Sequence, residues 1–134
     1  MDDHNLLDTI GRFWQARLHG DKAAVLSFLA KDATYEMVGA RDFSDEGTVG
    51  PAAAGEQAAG RLIDDFQFLG LEQLSAVVDG RRAAVVNRLQ VSFRGGEPVT
   101  TDACDFWEFD EAGKVLSLRQ FVDTRLVQRM MGGG

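Results

Sequence analysis

Asp105 stands two residues before Trp107 and four before Phe109 in TTDACDFWEFDEAGKVLSLRQFVDT, residues 100–124. Alternation along an extended chain puts a carboxyl at that spacing on the same face as both rings. If that face is buried, ionising the acid takes a charge out of water, and the neutral form is favoured. A carboxyl held that way is a candidate for chemistry as a neutral acid toward a carbonyl or enolate oxygen. Tyr35 and Asp123 are the other candidate catalytic groups. Each has a plainer role to set beside the chemical one. Asp105 can brace the sheet through Asn87 or Gln120, and Tyr35 can be a core ring with its hydroxyl at the edge. Asp123, followed by Thr124-Arg125-Leu126, is a natural helix N-cap.

The elements that must position these groups are legible in the spacing. Leu6, Leu7, Ile10, Phe13, Trp14 and Leu18 recur at helical intervals and predict a first helix ending near Gly20. Asp21 caps a second, shorter helix carrying Val25, Leu26, Phe28 and Leu29. Residues 32–38 read as a short strand and residues 39–50 (GARDFSDEGTVG) as a loop. A third helix is expected from Pro51 to Phe68, with Leu62, Ile63, Phe66 and Leu69 as its apolar anchors. Residues 71–78, 82–94, 99–109 and 115–122 then form four strands with turns at Asp79-Gly80, Gly95-Gly96 and Ala112-Gly113. A last helix spans residues 124–131. Helices followed by an antiparallel meander make an α+β fold in which helices cover one face of a curved sheet. A single domain is expected over residues 1–131, with a glycine tail at 132–134.

Strand parity selects the pocket. Val85, Asn87, Leu89, Val91 and Phe93 share one face, and Arg88, Gln90, Ser92 and Arg94 share the other. Ala103, Asp105, Trp107 and Phe109 form the matching set on the next strand, as do Leu118, Gln120 and Val122 on the last, and Tyr35 and Met37 on the first. The expected cavity is apolar, with four polar points at Tyr35, Asn87, Asp105 and Gln120. Trp14, Phe13, Met37, Leu89, Val91, Phe93, Trp107 and Leu118 are its expected walls. Cys104, Phe106 and Val86 fall on the outer face near Phe121, which predicts a homodimer through that face.

Composition narrows the function. A 134-residue chain with 45% apolar and 26% charged residues is an ordinary globular composition. Its net charge of -7 argues against nucleic acid or an anionic membrane as partner. No apolar run reaches the roughly 20 residues of a membrane helix. The acidic start MDDHNLL does not read as a signal peptide, and one cysteine allows no intrachain disulfide, so a cytoplasmic setting is expected. His4 and His19 show no ligand spacing with Cys104, and neither a metal nor a cofactor is expected.

RFWQARLHGDKAAVLSFLAKDATYEMVG and DFWEFDEAGKVLSLRQFVDT resemble the nuclear transport factor 2-like superfamily, in its ketosteroid isomerase and polyketide cyclase (SnoaL-like) branch. The resemblance covers nearly the whole chain and is weakest over residues 41–60. It implies a cone, with a strongly bent antiparallel sheet wrapped around N-terminal helices and an apolar pocket at the wide end. Asp105 matches the acid that the steroid isomerases keep protonated to hydrogen-bond a substrate oxyanion, a case used as a general illustration of a neutral buried acid. Phe13 stands where their second donor is a tyrosine, and Met37 where their general base is a carboxylate. Steroid isomerisation of that design is therefore not expected. Asp123 matches the base of the superfamily's epoxide hydrolases. Arg88 aligns with their arginine, but Gln90 replaces the required acid and parity turns Arg88 outward. The expectation is a pocket for a small hydrophobic, oxygen-bearing molecule, with proton-transfer chemistry of the isomerase, cyclase or lyase kind. The alternative is a non-catalytic ligand carrier or a dimer whose cone is filled by its own side chains. Cavity volume separates them, a ligand site needing about 300 Å³ or more.

Overall fold

The computed structural model describes residues 3–38, 64–130 and 132. The loop expected at residues 39–50 and the helix start at Pro51 lie outside the described residues, as do the side chains of His4 and Met37.

Helix α1 (Asp3–Leu18) buries Leu6, Ile10, Phe13 and Trp14 almost completely, four of the six residues on its predicted apolar stripe, and leaves Leu7 and Leu18 half-buried against the core. It ends at Gly20, whose φ of 68° lies in the left-handed region that glycine enters without steric cost. Asp21 then caps α2 (Lys22–Ser27), its carboxylate accepting from the Ala24 amide at 3.1 Å. Strand β1 (Leu29–Val38) begins three residues earlier than expected.

The remaining strands are β2 (Phe66–Asp79), β3 (Arg82–Phe93), β4 (Val99–Phe109) and β5 (Val115–Phe121), followed by helix α3 (Thr124–Met130). They form one curved, unclosed sheet in the order β1-β5-β4-β3-β2. The β2 to β5 meander is antiparallel, and β1 joins the other edge parallel to β5, with Tyr35 opposite Leu118 and Met37 opposite Gln120. At the β4–β5 turn Asp110 accepts from the Ala112 and Lys114 amides, both at 2.9 Å, which holds the register of the hairpin carrying Asp105.

Two expectations need correction. Phe66 and Leu69 belong to β2 and are not helix anchors. Phe66 and Phe68 alternate inward opposite Phe93 and Val91, while Leu69 sits at a register break between Phe68 and Gly70 and is 52% exposed. A second break falls between Gln73 and Ser75, and such bulges bend a strand. Ser92, assigned outward by parity, is buried, because Gln67 lies opposite and its Oε1 accepts from the Ser92 hydroxyl at 3.4 Å.

The core lies between α1 and the concave sheet face. Phe13 meets Trp14 and Trp107 edge-on at ring distances of 5.1 and 5.0 Å, and Trp14 stacks on Phe68 at 5.3 Å. Edge-to-face and offset-stacked packing of this kind adds about 0.5–1.5 kcal/mol per pair beyond area burial.

Candidate active site

Asp105 comes from the middle of β4, where alternation with Trp107 and Phe109 turns all three inward. Only 1% of its surface is exposed. Directly across the ladders are Val85 on β3 and Gln120 on β5. Asn87 Nδ2 donates to Asp105 Oδ2 at 3.1 Å, and Gln120 Nε2 donates to Oδ1 at 3.2 Å. Gln120 in turn accepts at Oε1 from the Tyr35 hydroxyl at 3.0 Å. The four polar points expected from parity thus form one buried hydrogen-bonded chain spanning β3, β4, β5 and β1.

Burial pushes the Asp105 carboxyl up from 3.8 to about 7, and the Gln120 and Asn87 hydrogen bonds pull the other way without cancelling it. Burial also raises Tyr35 to about 12, with the nearby Arg17 drawing it back and Asp105 adding to the rise. Tyr35 is therefore a neutral donor at any physiological pH. One acceptor is left over: Asn87 Oδ1 is buried without a hydrogen-bond partner. The indole N–H groups of Trp14 and Trp107 are in the same position.

Arg17 completes the arrangement and was missed in the sequence. It is 3% exposed, donates to the Phe66 carbonyl at 2.8 Å, and lies over the Phe68 ring at 4.2 Å. Burial lowers its pKa, and the charge of and hydrogen bond with Tyr35 raise it. The signal was available: Arg17 follows Phe13 by four residues and Trp14 by three, on the helical stripe those two rings bury.

An apolar cavity of about 40 Å³ adjoins this chain, lined by Arg17, Gln120 and Thr101 together with side chains of β2, β3 and α3. Leu89 and Val91 are on its wall, whereas Phe13, Trp14, Trp107 and Leu118 fill the core beside it. Phe93 is half-buried against Phe66 at a ring distance of 5.1 Å. Gln120 stands on the wall, and Asp105 lies one hydrogen bond behind it. The volume is far below that of typical ligand pockets.

Asp123 lies apart from the cluster. It is exposed, and its carboxylate accepts from the Leu126 amide at 3.1 Å at the start of α3. Arg88 is exposed and paired with Asp102 at 3.0 Å, as outward parity requires. Among the described residues no three His, Cys, Asp or Glu side chains are grouped to hold a metal ion.

No curated protein matches the chain. Solved structures do. An NTF2-like protein of unknown function from Burkholderia pseudomallei superposes with a TM-score of 0.73 at 19% identity, covering 97% of this chain and 98% of that one. An LEH-like epoxide hydrolase of M. tuberculosis gives 0.69 at 21% identity, covering 97% and 89%. The epoxide hydrolase/cyclase-like enzyme SalBIII, of pyran ring formation in polyether salinomycin, gives 0.69 at 20% identity, covering 92% and 95%. At these identities the likeness is one of fold. The SnoaL-like domain model matches residues 10–118, and on that match the chain belongs to the SnoaL-like family of the nuclear transport factor 2-like superfamily.

Proposed function

We propose that the protein binds a small apolar, oxygen-bearing molecule in its cone and moves a proton on it, with Asp105 as the acid–base group. The observation that carries this reading is a carboxyl 1% exposed in an aromatic core and pushed up to about 7. An acid with that pKa is half-protonated near neutrality. It serves as a proton donor in one half-reaction and as a base in the other, so a separate base at Met37 or Asp123 is not required. Tyr35 and Asn87 are the orienting donors, and a ligand oxygen would take the place Gln120 holds beside Asp105. Proton transfer of this kind fits isomerisation, cyclisation, or addition and elimination. Structural neighbours named as epoxide hydrolase and cyclase-like proteins are consistent with that range. A cytoplasmic homodimer is part of the same reading, supported by the lone Cys104 and by the exposed Phe106 and Phe121 on the outer sheet face.

The small cavity favours a second reading, in which the cone is filled by its own side chains and the polar chain only braces the sheet. Native mass spectrometry of protein purified from its own host decides between them. The first reading expects a small molecule that is retained in the native spectrum and released on denaturation. In that event Asp105→Asn abolishes its conversion while the fold survives. An empty protein, combined with an Asp105→Asn variant that unfolds, would establish the structural reading.

A further inference from the structure

The polar chain around Asp105 has a direction. Arg17 can only donate hydrogen bonds, so the Tyr35 hydroxyl oxygen accepts from it, and the Tyr35 proton goes on to Gln120 Oε1 at 3.0 Å. With its oxygen committed there, Gln120 presents Nε2 to Asp105 Oδ1 at 3.2 Å. Turning the Gln120 amide over would leave the Tyr35 proton buried without an acceptor, a loss that buried hydroxyls are arranged to avoid. Asp105 Oδ1 is therefore an acceptor in both protonation states, and the proton of the neutral acid belongs on Oδ2.

Oδ2 faces Asn87. The Asn87 Nδ2 donates to it at 3.1 Å, while Oδ1 of the same amide is buried without a partner. Donors on both carboxyl oxygens suit a carboxylate. They do not suit a neutral acid, whose O–H must itself find an acceptor. A half-turn of the Asn87 amide exchanges its oxygen and nitrogen and supplies that acceptor. One amide atom is unpaired in either setting, Oδ1 in the first and Nδ2 in the second, so the acid gains a bond at no added cost in unpaired atoms. From the elements packed around the carboxyl, Tyr35 of β1 is the titratable group that feels its charge, and Arg17 of α1 stands behind Tyr35. Strands β3 and β5 present the neutral Asn87 and Gln120, and Cys104, beside Asp105 on β4, lies on the opposite face.

We propose that Asn87 is the positioning residue for the Asp105 proton: its amide gives N–H to Oδ2 of the carboxylate and turns over to give its oxygen to the O–H of the neutral acid. The inference rests on the reading that Asp105 is the protonated acid–base group, and it assigns the resting proton to one oxygen. When a ligand oxygen takes the place of Gln120, the amide returns to its donating setting and the acid turns its O–H to the ligand. That turn moves no charge and needs no further group.

The test is neutron diffraction from deuterated crystals of the full chain at about pH 5 and about pH 9. A carboxyl titrating near 7 is neutral to ionised at about 100:1 in the first and about 1:100 in the second. At the lower pH, deuterium should sit on Asp105 Oδ2 and point at the Asn87 oxygen. At the higher pH, Asp105 should be bare and the Asn87 nitrogen should face it. Deuterium on Oδ1, or an Asn87 amide set the same way at both pH values, overturns the positioning role and leaves the protonated acid standing. No deuterium on Asp105 at either pH overturns both. In solution, the carbon-13 signal of the Asn87 side-chain carbonyl should move with the Asp105 midpoint, and a flat signal through that midpoint also overturns the proposal.

Discussion

Burial of Asp105 makes the stability of the fold depend on pH. The folded carboxyl titrates near 7 and the unfolded one near 3.8, so between those values the folded state holds a proton that the unfolded state has released. Stability contributed by the neutral acid is complete below pH 3.8 and is lost as pH rises toward 7, by about 4 kcal/mol in all. Asp105→Asn removes the titrating group and keeps a neutral side chain of the same shape. Chemical denaturation of the variant should lack that downward slope and should leave it at least as stable as the parent above pH 7. An unchanged slope would mean that the acid is ionised in the fold. Gln120→Leu makes the complementary case. It strips one donor from Asp105 and the acceptor from the Tyr35 hydroxyl, leaving a buried polar group unsatisfied. A loss of about 1–3 kcal/mol is expected in urea denaturation, whereas a silent substitution would show the chain to be loosely coupled.

At the scale of elements, caps and strand parity set where the polar chain sits. Asp123 holds the first turn of α3 through the Leu126 amide, and α3 supplies Val127 to the core. Asp123→Ala should cost about 1 kcal/mol in thermal or urea unfolding, and Asp123→Asn a few tenths, because asparagine caps as well. Period-2 alternation located Asp105, Asn87 and Gln120 correctly, since a strand has only two faces and the apolar neighbours name the inner one. Helical spacing located Phe13 and Trp14 for the same reason. The same stripe contained Arg17, which the apolar pattern disguised because a cation is not expected on a buried face. Phe66 and Leu69 misled because helical and extended spacing both fit a short apolar run. What separates them is pairing with Phe93 and Val91, a contact distant in sequence. The parallel join of β1 to β5 was likewise invisible, being set by how the chain returns across the sheet.

For the whole molecule, the inner side of the sheet carries the packed core, and the outer side carries an apolar band bordered by charged residues such as Arg88 and Asp102. Across β2, β3, β4 and β5 the register lines up Ser75, Val86, Cys104 and Phe121, with Val77, Ala84, Phe106 and Arg119 in the adjoining row. Phe106 and Phe121 are 44% and 42% exposed. If this face joins two copies, light scattering should give a dimer mass, and Phe106→Glu with Phe121→Glu should give a monomer. A monomer in the parent protein would remove the homodimer from the account. On the inner side, Phe13→Ala should cost about 3–5 kcal/mol in urea unfolding, because Trp14 and Trp107 close around that ring. The most direct test of the account is a site-resolved carbon-13 titration of the Asp105 carboxyl in the folded protein. A midpoint near 7 is predicted, and a midpoint near 3.8 would contradict the claim that the cone holds a protonated acid ready for chemistry.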